Sequence, residues 1–212
     1  MKKLLLTLAA LTLMTSVAVA APIMDLQKDQ VVAGYNYWSP DLKEGSHTEA
    51  NALTFNGLYL ATALDKNIII GLDYSTANLG SANFYDLHFS SDYNMIDLNI
   101  NYKVNKNIQL IAGNRNYSNT VTVSTSSGYS SSDDISSMNK IFYGAGITLD
   151  LGTAKKPSNL YASILHSDIF TDKQVGVNLG LNKNIALNIN YRQYNEDNYT
   201  LESTGGGISY RF

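Results

Sequence analysis

Ile96-Asp97-Leu98-Asn99-Ile100-Asn101-Tyr102-Lys103-Val104-Asn105-Lys106-Asn107-Ile108 is the stretch that decides the fold. From Ile96 to Tyr102 every second residue is aliphatic or aromatic, and Asp97, Asn99, Asn101 and Lys103 alternate with them. Successive side chains of a strand point to opposite faces, so this two-residue period marks a strand with one apolar and one polar face. Val104 to Ile108 then breaks the pattern with asparagines, which tolerate left-handed backbone and bond to neighbouring amides, as tight hairpins require. The unit is a strand followed by a short turn.

The unit recurs. Leu64-Asp65-Lys66-Asn67-Ile68 and Leu181-Asn182-Lys183-Asn184-Ile185 are versions of the same turn, and Lys155-Lys156-Pro157-Ser158-Asn159-Leu160 is a longer fourth member. The same alternation appears over 53–62, 141–150, 175–182 and 185–192, and no segment shows a helical period. Between the tight turns lie longer polar stretches, expected as loops: Pro40 to Thr48, Gly80 to Ser91, Asn119 to Ser137, Ser167 to Asp172 and Asn195 to Thr200. Four short turns and five long loops make nine connections, which join ten strands. Eight is the alternative if the short loop near Asp168 does not join a full hairpin.

Composition narrows the class. Of 212 residues 44% are hydrophobic, 16% are charged, fifteen are tyrosine and none is cysteine. A soluble domain carries about a quarter charged residues, so this chain is short of them. A helical membrane protein would need runs of roughly 20 apolar residues, and a disulfide scaffold would need cysteine. A net charge of −3 offers nucleic acid no footprint. At the N-terminus Lys2 and Lys3 precede an apolar run from Leu4 to Met14, and Ala18-Val19-Ala20 supplies a small-x-small cleavage pattern. Residues 1–20 are therefore expected as a signal peptide and 21–212 as one exported barrel domain.

A soluble sandwich also alternates, but it needs charges to coat its outside. Here the apolar face is aliphatic and the other is small and polar, as on a lipid-facing exterior around a polar lumen. The expected fold is an all-β, closed, antiparallel up-and-down transmembrane β-barrel. Tyr37, Tyr74, Tyr143 and Tyr191 fall near one end of their strands, and Tyr59, Tyr102, Tyr210 and Phe212 near the other. These form two expected aromatic belts at the membrane–water boundaries.

The chain ends Gly205-Gly206-Gly207-Ile208-Ser209-Tyr210-Arg211-Phe212, with Ile208, Tyr210 and Phe212 on one face. This resembles the terminal strand of bacterial outer-membrane β-barrel proteins, including small barrels of the OmpX, opacity-protein and YfaZ kinds. The resemblance implies a Gram-negative outer-membrane location and recognition of Ile208, Tyr210 and Phe212 by the barrel-assembly machinery. It also implies a monomer in contact with outer-membrane lipid and lipopolysaccharide.

Projecting the polar face inward places Asp73, Asp97, Lys103, Arg115, Asp150, Arg192 and Arg211 on the lumen. A barrel of eight to ten strands has little bore left once side chains fill it, so a closed, ion-paired interior is expected over a pore. Catalysis lacks a motif. Asp86-Leu87-His88 and Asp133-Asp134 superficially offer the acid–histidine parts of omptin-like proteases, but the surrounding residues do not match. His166 and Ser167 are adjacent, so their side chains face opposite ways and cannot share a hydrolase site. No cofactor or metal is expected, since two adjacent carboxylates fall far short of a calcium loop. The expected role is interaction through surface loops with an extracellular ligand, or envelope maintenance. A narrow channel comes second and an outer-membrane hydrolase third.

Overall fold

The computed structural model describes residues 26–212 apart from 46, 51, 52, 85, 86, 126, 197 and 198. The expected signal peptide and its cleavage site lie outside the described residues. Twelve strands run in chain order: β1 Val31–Trp38, β2 Asp41–Glu44, β3 His47–Ala50, β4 Thr54–Asp65, β5 Ile68–Phe84, β6 Leu87–Lys103, β7 Ile108–Thr125, β8 Ser130–Asp150, β9 Asn159–His166, β10 Phe170–Gly180, β11 Ile185–Glu196 and β12 Tyr199–Arg211. Among the described residues, β1 and β4 to β12 form ten antiparallel neighbours, and β1 pairs with β12 from Val32↔Arg211 to Trp38↔Gly205. The sheet closes on itself as a ten-stranded barrel. β2 and β3 form a short hairpin added to the top of β12, from Tyr199↔Glu44 to Glu202↔Asp41.

The repeated turns are built alike. Asn105 Oδ1 accepts the amides of Asn107 and Ile108 at 2.8 and 2.9 Å, and Asn182 Oδ1 accepts those of Asn184 and Ile185 at the same distances. The second asparagine of each turn staples the next strand: Asn107 Nδ2 donates to the Thr148 carbonyl at 2.7 Å, and Asn184 Nδ2 to the Arg211 carbonyl at 2.6 Å. The repeat thus closes a hairpin with one asparagine and fixes its neighbour with the other.

The exterior is apolar. Leu58, Leu98, Ile100, Leu110, Ile147 and Ile189 are each about half exposed around the wall. Exposed aliphatic side chains on every side of a closed barrel are the mark of a lipid-facing surface.

The strands differ greatly in length. β5 to β8 have 17, 17, 18 and 21 residues, whereas β9 to β12 have 8, 11, 12 and 13. A membrane strand needs roughly 9–11 residues, so β5 to β8 overshoot by most of a second membrane thickness. The ladder to β9 starts at Tyr143↔His166, and that from β4 ends at Thr54↔Asn78. Beyond those levels β5–β8 stand alone as a four-stranded blade. This corrects the expected loops over 80–91 and 119–137, which are mostly strand. Thr120-Val121-Thr122-Val123 is itself a β-branched alternation, and such residues favour extended backbone without any lipid to face. At Pro40 to Thr48 the expected loop likewise holds a hairpin.

Candidate functional site

The inward-facing residues stack in levels between the blade end and the turn end of the bore. Highest is a ring of aromatics. Trp38 contacts Phe55 with centroids 5.5 Å apart, Phe55 contacts Tyr93 at 6.4 Å, and Tyr93 contacts Tyr117 at 6.3 Å. On the other side Phe142 meets Phe170 at 6.4 Å, and Phe170 stacks on Tyr194 at 5.5 Å. All seven are buried, with Leu42, Met95 and Leu201 beside them.

Against this ring lies a buried ion quartet. Arg115 on β7 donates through Nε and Nη2 to both carboxylate oxygens of Asp97, its cross-strand neighbour on β6, at 2.8 Å each. Arg192 on β11 makes the same two-pronged contact with Asp172 on β10, one oxygen at 2.8 Å. Asp172 also lies 3.7 Å from Arg115, so it joins the two pairs across the bore. The Arg115 guanidinium stands 4.3 Å from the Phe170 centroid, and that of Arg192 lies 5.2 Å from Trp38. Two acids and two guanidiniums cancel in charge, and a planar guanidinium both forks onto a carboxylate and stacks on a ring. All four are 2% exposed or less. Rings and ions together fill the bore at this level.

Below the quartet an amide network spans β9 to β11. Asn188 Nδ2 donates to the Tyr161 hydroxyl and to Asn178 Oδ1, both at 2.9 Å, and Asn178 donates to Asn159 at 2.8 Å. On β5 and β6, Asn99 Nδ2 donates to Asp73 at 3.1 Å and receives Asn101 at 2.9 Å. At the turn end Leu26 is fully buried among Val32, Tyr59, Ala61, Ala63 and Ile69. The Lys103 ammonium donates to the Leu26 carbonyl, so the start of the described chain sits in the mouth of the barrel.

Of the residues expected on the lumen, Asp73, Asp97, Lys103, Arg115 and Arg192 are buried inside, and Arg115 and Arg192 belong to one network. Asp150 and Arg211 are the last residues of β8 and β12, two positions beyond the inward Thr148 and Ser209, and they line an open concavity of about 470 Å³ at the turn end. Asp172 was missed because the stretch before it was taken for a loop through that residue. Carrying the polar face of β10 upward from Asn178 and Gly176 leads to Gln174, Asp172 and Phe170, all inward.

The belt residues Tyr37, Tyr74, Tyr102, Tyr143, Tyr191, Tyr210 and Phe212 are on the outside and exposed. Ile208 shares the outward face of Tyr210 and Phe212, whose rings meet edge-on at 4.9 Å. Tyr59 is a correction: it is 4% exposed and points inward. Both faces of β4 are apolar, so the period alone did not tell inside from outside there. Its ring lies over Gly34, its cross-strand partner, where a Cβ would collide with it. Leu58 and Leu60 take the outer face instead.

Among the described residues, the weak catalytic candidates are not brought together. His166 is exposed on the outer wall, edge-on to Tyr143 at 5.6 Å, with Nδ1 3.1 Å from Thr171 Oγ1. Ser167 instead donates to the Ile141 carbonyl at 2.9 Å. Asp86 lies outside the described residues, as does the placement of the Asp134 side chain. Among the described residues no three potential metal ligands come together.

No family model and no curated protein matches the chain. Solved structures do match, and they are bacterial outer-membrane β-barrels. The translocator domain of the autotransporter NalP from Neisseria meningitidis aligns over 100% of this chain and 94% of its own, at TM-score 0.52 and 10% identity. Ail, the attachment invasion locus protein of Yersinia pestis, solved with the heparin analogue sucrose octasulfate, aligns over 88% of this chain and all of its own, at 0.51 and 12%. The outer membrane protease OmpT from Escherichia coli aligns over 90% and 99%, at 0.50 and 12%. Identities this low carry the fold alone.

Proposed function

We propose that this protein is an outer-membrane β-barrel, exported by a cleaved signal peptide and inserted as a monomer by the barrel-assembly machinery. It neither conducts nor catalyses, and it acts through the surface it raises at the blade end. Attachment, proteolysis and translocation all occur among the names of the barrels it is similar to, so the fold does not choose among them. The observation that carries the proposal is the contrast along one axis. The bore is crossed by two guanidinium–carboxylate pairs packed against a ring of aromatics, whereas four strands continue past the membrane as an ordered sheet. Rigid scaffolds commonly carry binding on what projects from them. The blade strands are rich in serine, threonine and asparagine, whose hydrogen-bonding groups suit a polar extracellular ligand.

The test compares whole cells displaying the full chain with cells displaying a barrel whose β5–β6 and β7–β8 hairpins are cut back to tight turns. Both forms should show heat-modifiable mobility on a denaturing gel. Adherence to surfaces coated with host matrix protein or polysaccharide is expected only for the full chain. Equal adherence by both forms, or none above cells lacking the protein, would contradict a role for the blade.

A further inference from the structure

We propose that the lipid-facing wall of β8 to β11 binds one molecule of lipid A, an acyl chain lying in a groove floored by Ala145 and Ala162 and a phosphate meeting Lys173. The proposal rests on the outer-membrane reading and deepens it by naming a partner. Two cross-strand rows define the groove. One runs Ile147, Ala162, Val175, Tyr191, and the next runs Leu110, Ala145, Ile164, Lys173, Gln193. Each row places one alanine among larger side chains, of which Leu110, Ile147, Ile164, Val175 and Tyr191 stand about 40–50% exposed on the wall, and the two alanines are diagonal neighbours. The surface therefore sinks between Ile147, Ile164 and Val175, giving an apolar depression of about 520 Å³. Straight hydrocarbon fits such a trough.

Lys173 makes this more than a rough patch of wall. It points outward at the head of the groove, one outward position above Val175, the partner of the belt residue Tyr191. Its ammonium has no ion-pair partner among the described residues, whereas Lys43 and Lys140 at the same end are neutralised by Glu202 and Asp168. Glu202, across the row from Gln193, is already held by Lys43 and by the Tyr191 hydroxyl at 3.1 Å. A bare lysine on a lipid face is costly near the midplane and nearly free at the boundary, where its stem lies on apolar surface and its head reaches a headgroup. Outer-membrane barrels keep short turns in the periplasm and long connections outside, so this lysine meets the outer leaflet. The lipid there is the phosphorylated, multiply acylated lipid A of lipopolysaccharide. Phosphate supplies the missing charge and the acyl chain the missing bulk.

Native mass spectrometry of the refolded barrel in detergent micelles tests this without reference to cells. The probes are bisphosphorylated lipid A, dephosphorylated lipid A and phosphatidylglycerol, against the wild type, Lys173→Gln and Ala162→Phe. Both substitutions face lipid, and only protein with heat-modifiable mobility is scored. One bisphosphorylated lipid A should be retained per barrel, and each substitution or removal of the phosphates should weaken retention about tenfold, the scale of one charge-assisted contact. Unchanged retention in either variant, no retention at all, or equal retention of phosphatidylglycerol would overturn the proposal. None of those results bears on adherence, which tests the surface role separately.

Discussion

The two halves of the barrel agree inside and differ outside. In the tall half, β6 and β7 supply Asp97 and Arg115. In the low half, β10 and β11 supply Asp172 and Arg192, with the same two-pronged geometry. Both halves present aliphatic side chains to lipid and rings to the upper bore. Above that level one half continues for most of a strand and the other ends at His166 and Phe170. What the halves share is what a bilayer demands: an apolar exterior, a wall that closes on itself and buried arginines held by carboxylates. What they do not share is free of that demand, and there the protein spends its extra residues on a surface.

Breaking the shared quartet should have the largest effect. Asp172 serves both arginines, so D172A leaves two buried guanidiniums facing each other and should destabilise the folded barrel by about 3–5 kcal/mol. Urea titration of the refolded protein, followed by gel mobility, measures it. D97A deprives only Arg115, which still has Asp172 at 3.7 Å, so its loss should be clearly smaller. Equal losses would mean the quartet is two independent pairs. Next comes G34A, whose methyl must displace the Tyr59 ring and should cost about 1–3 kcal/mol through overpacking in the low part of the bore. The blade should matter least to the barrel itself. Cutting both long hairpins back to tight turns removes strand pairing beyond the barrel wall but no contact of the ion quartet, and should shift stability by under about 1 kcal/mol. A large loss would show that the tall half needs its blade to fold.

The smallest effect is a matter of pH at the low rim. A hydrogen bond from Lys140 at 2.7 Å holds the Asp168 carboxyl below its usual range, with the Ser167 hydroxyl adding to it. Because the folded pKa is depressed, this contact stabilises at pH above the ordinary carboxylate range and is lost as pH falls through the depressed value. D168N should flatten that acid-side slope slightly, as seen in thermal shift from pH 6 down to 3.

Much of this was legible in the sequence because lipid imposes a strong period. Ile96 to Tyr102 and the Asn-Lys-Asn turns mark strands and hairpins, and the same period puts Asp97, Arg115 and Arg192 on the inward face. The period fails where lipid is absent or where both faces are apolar. Over 119–137 the alternation of Val121 and Val123 with threonine soon gives way to serine on both faces, so a strand reads as a loop. On β4 tyrosine and leucine compete for the outside, and only the space above Gly34 decides in favour of an inward Tyr59. Asp172 was hidden by the same mistake about where a strand begins, four positions before the correctly read Gly176. The pairing of Asp172 with two arginines depends on which strands close the circle, which no local pattern contains.

The central claim is that the bore is sealed, and planar-bilayer recording tests it most directly. Wild-type protein refolded with heat-modifiable mobility should show no unit conductance across repeated insertions at physiological salt, while D172A barrels that still insert should flicker open. Reproducible single-channel openings in the wild type, altered by substitution of Asp97 or Arg192, would contradict it and make the protein a narrow channel.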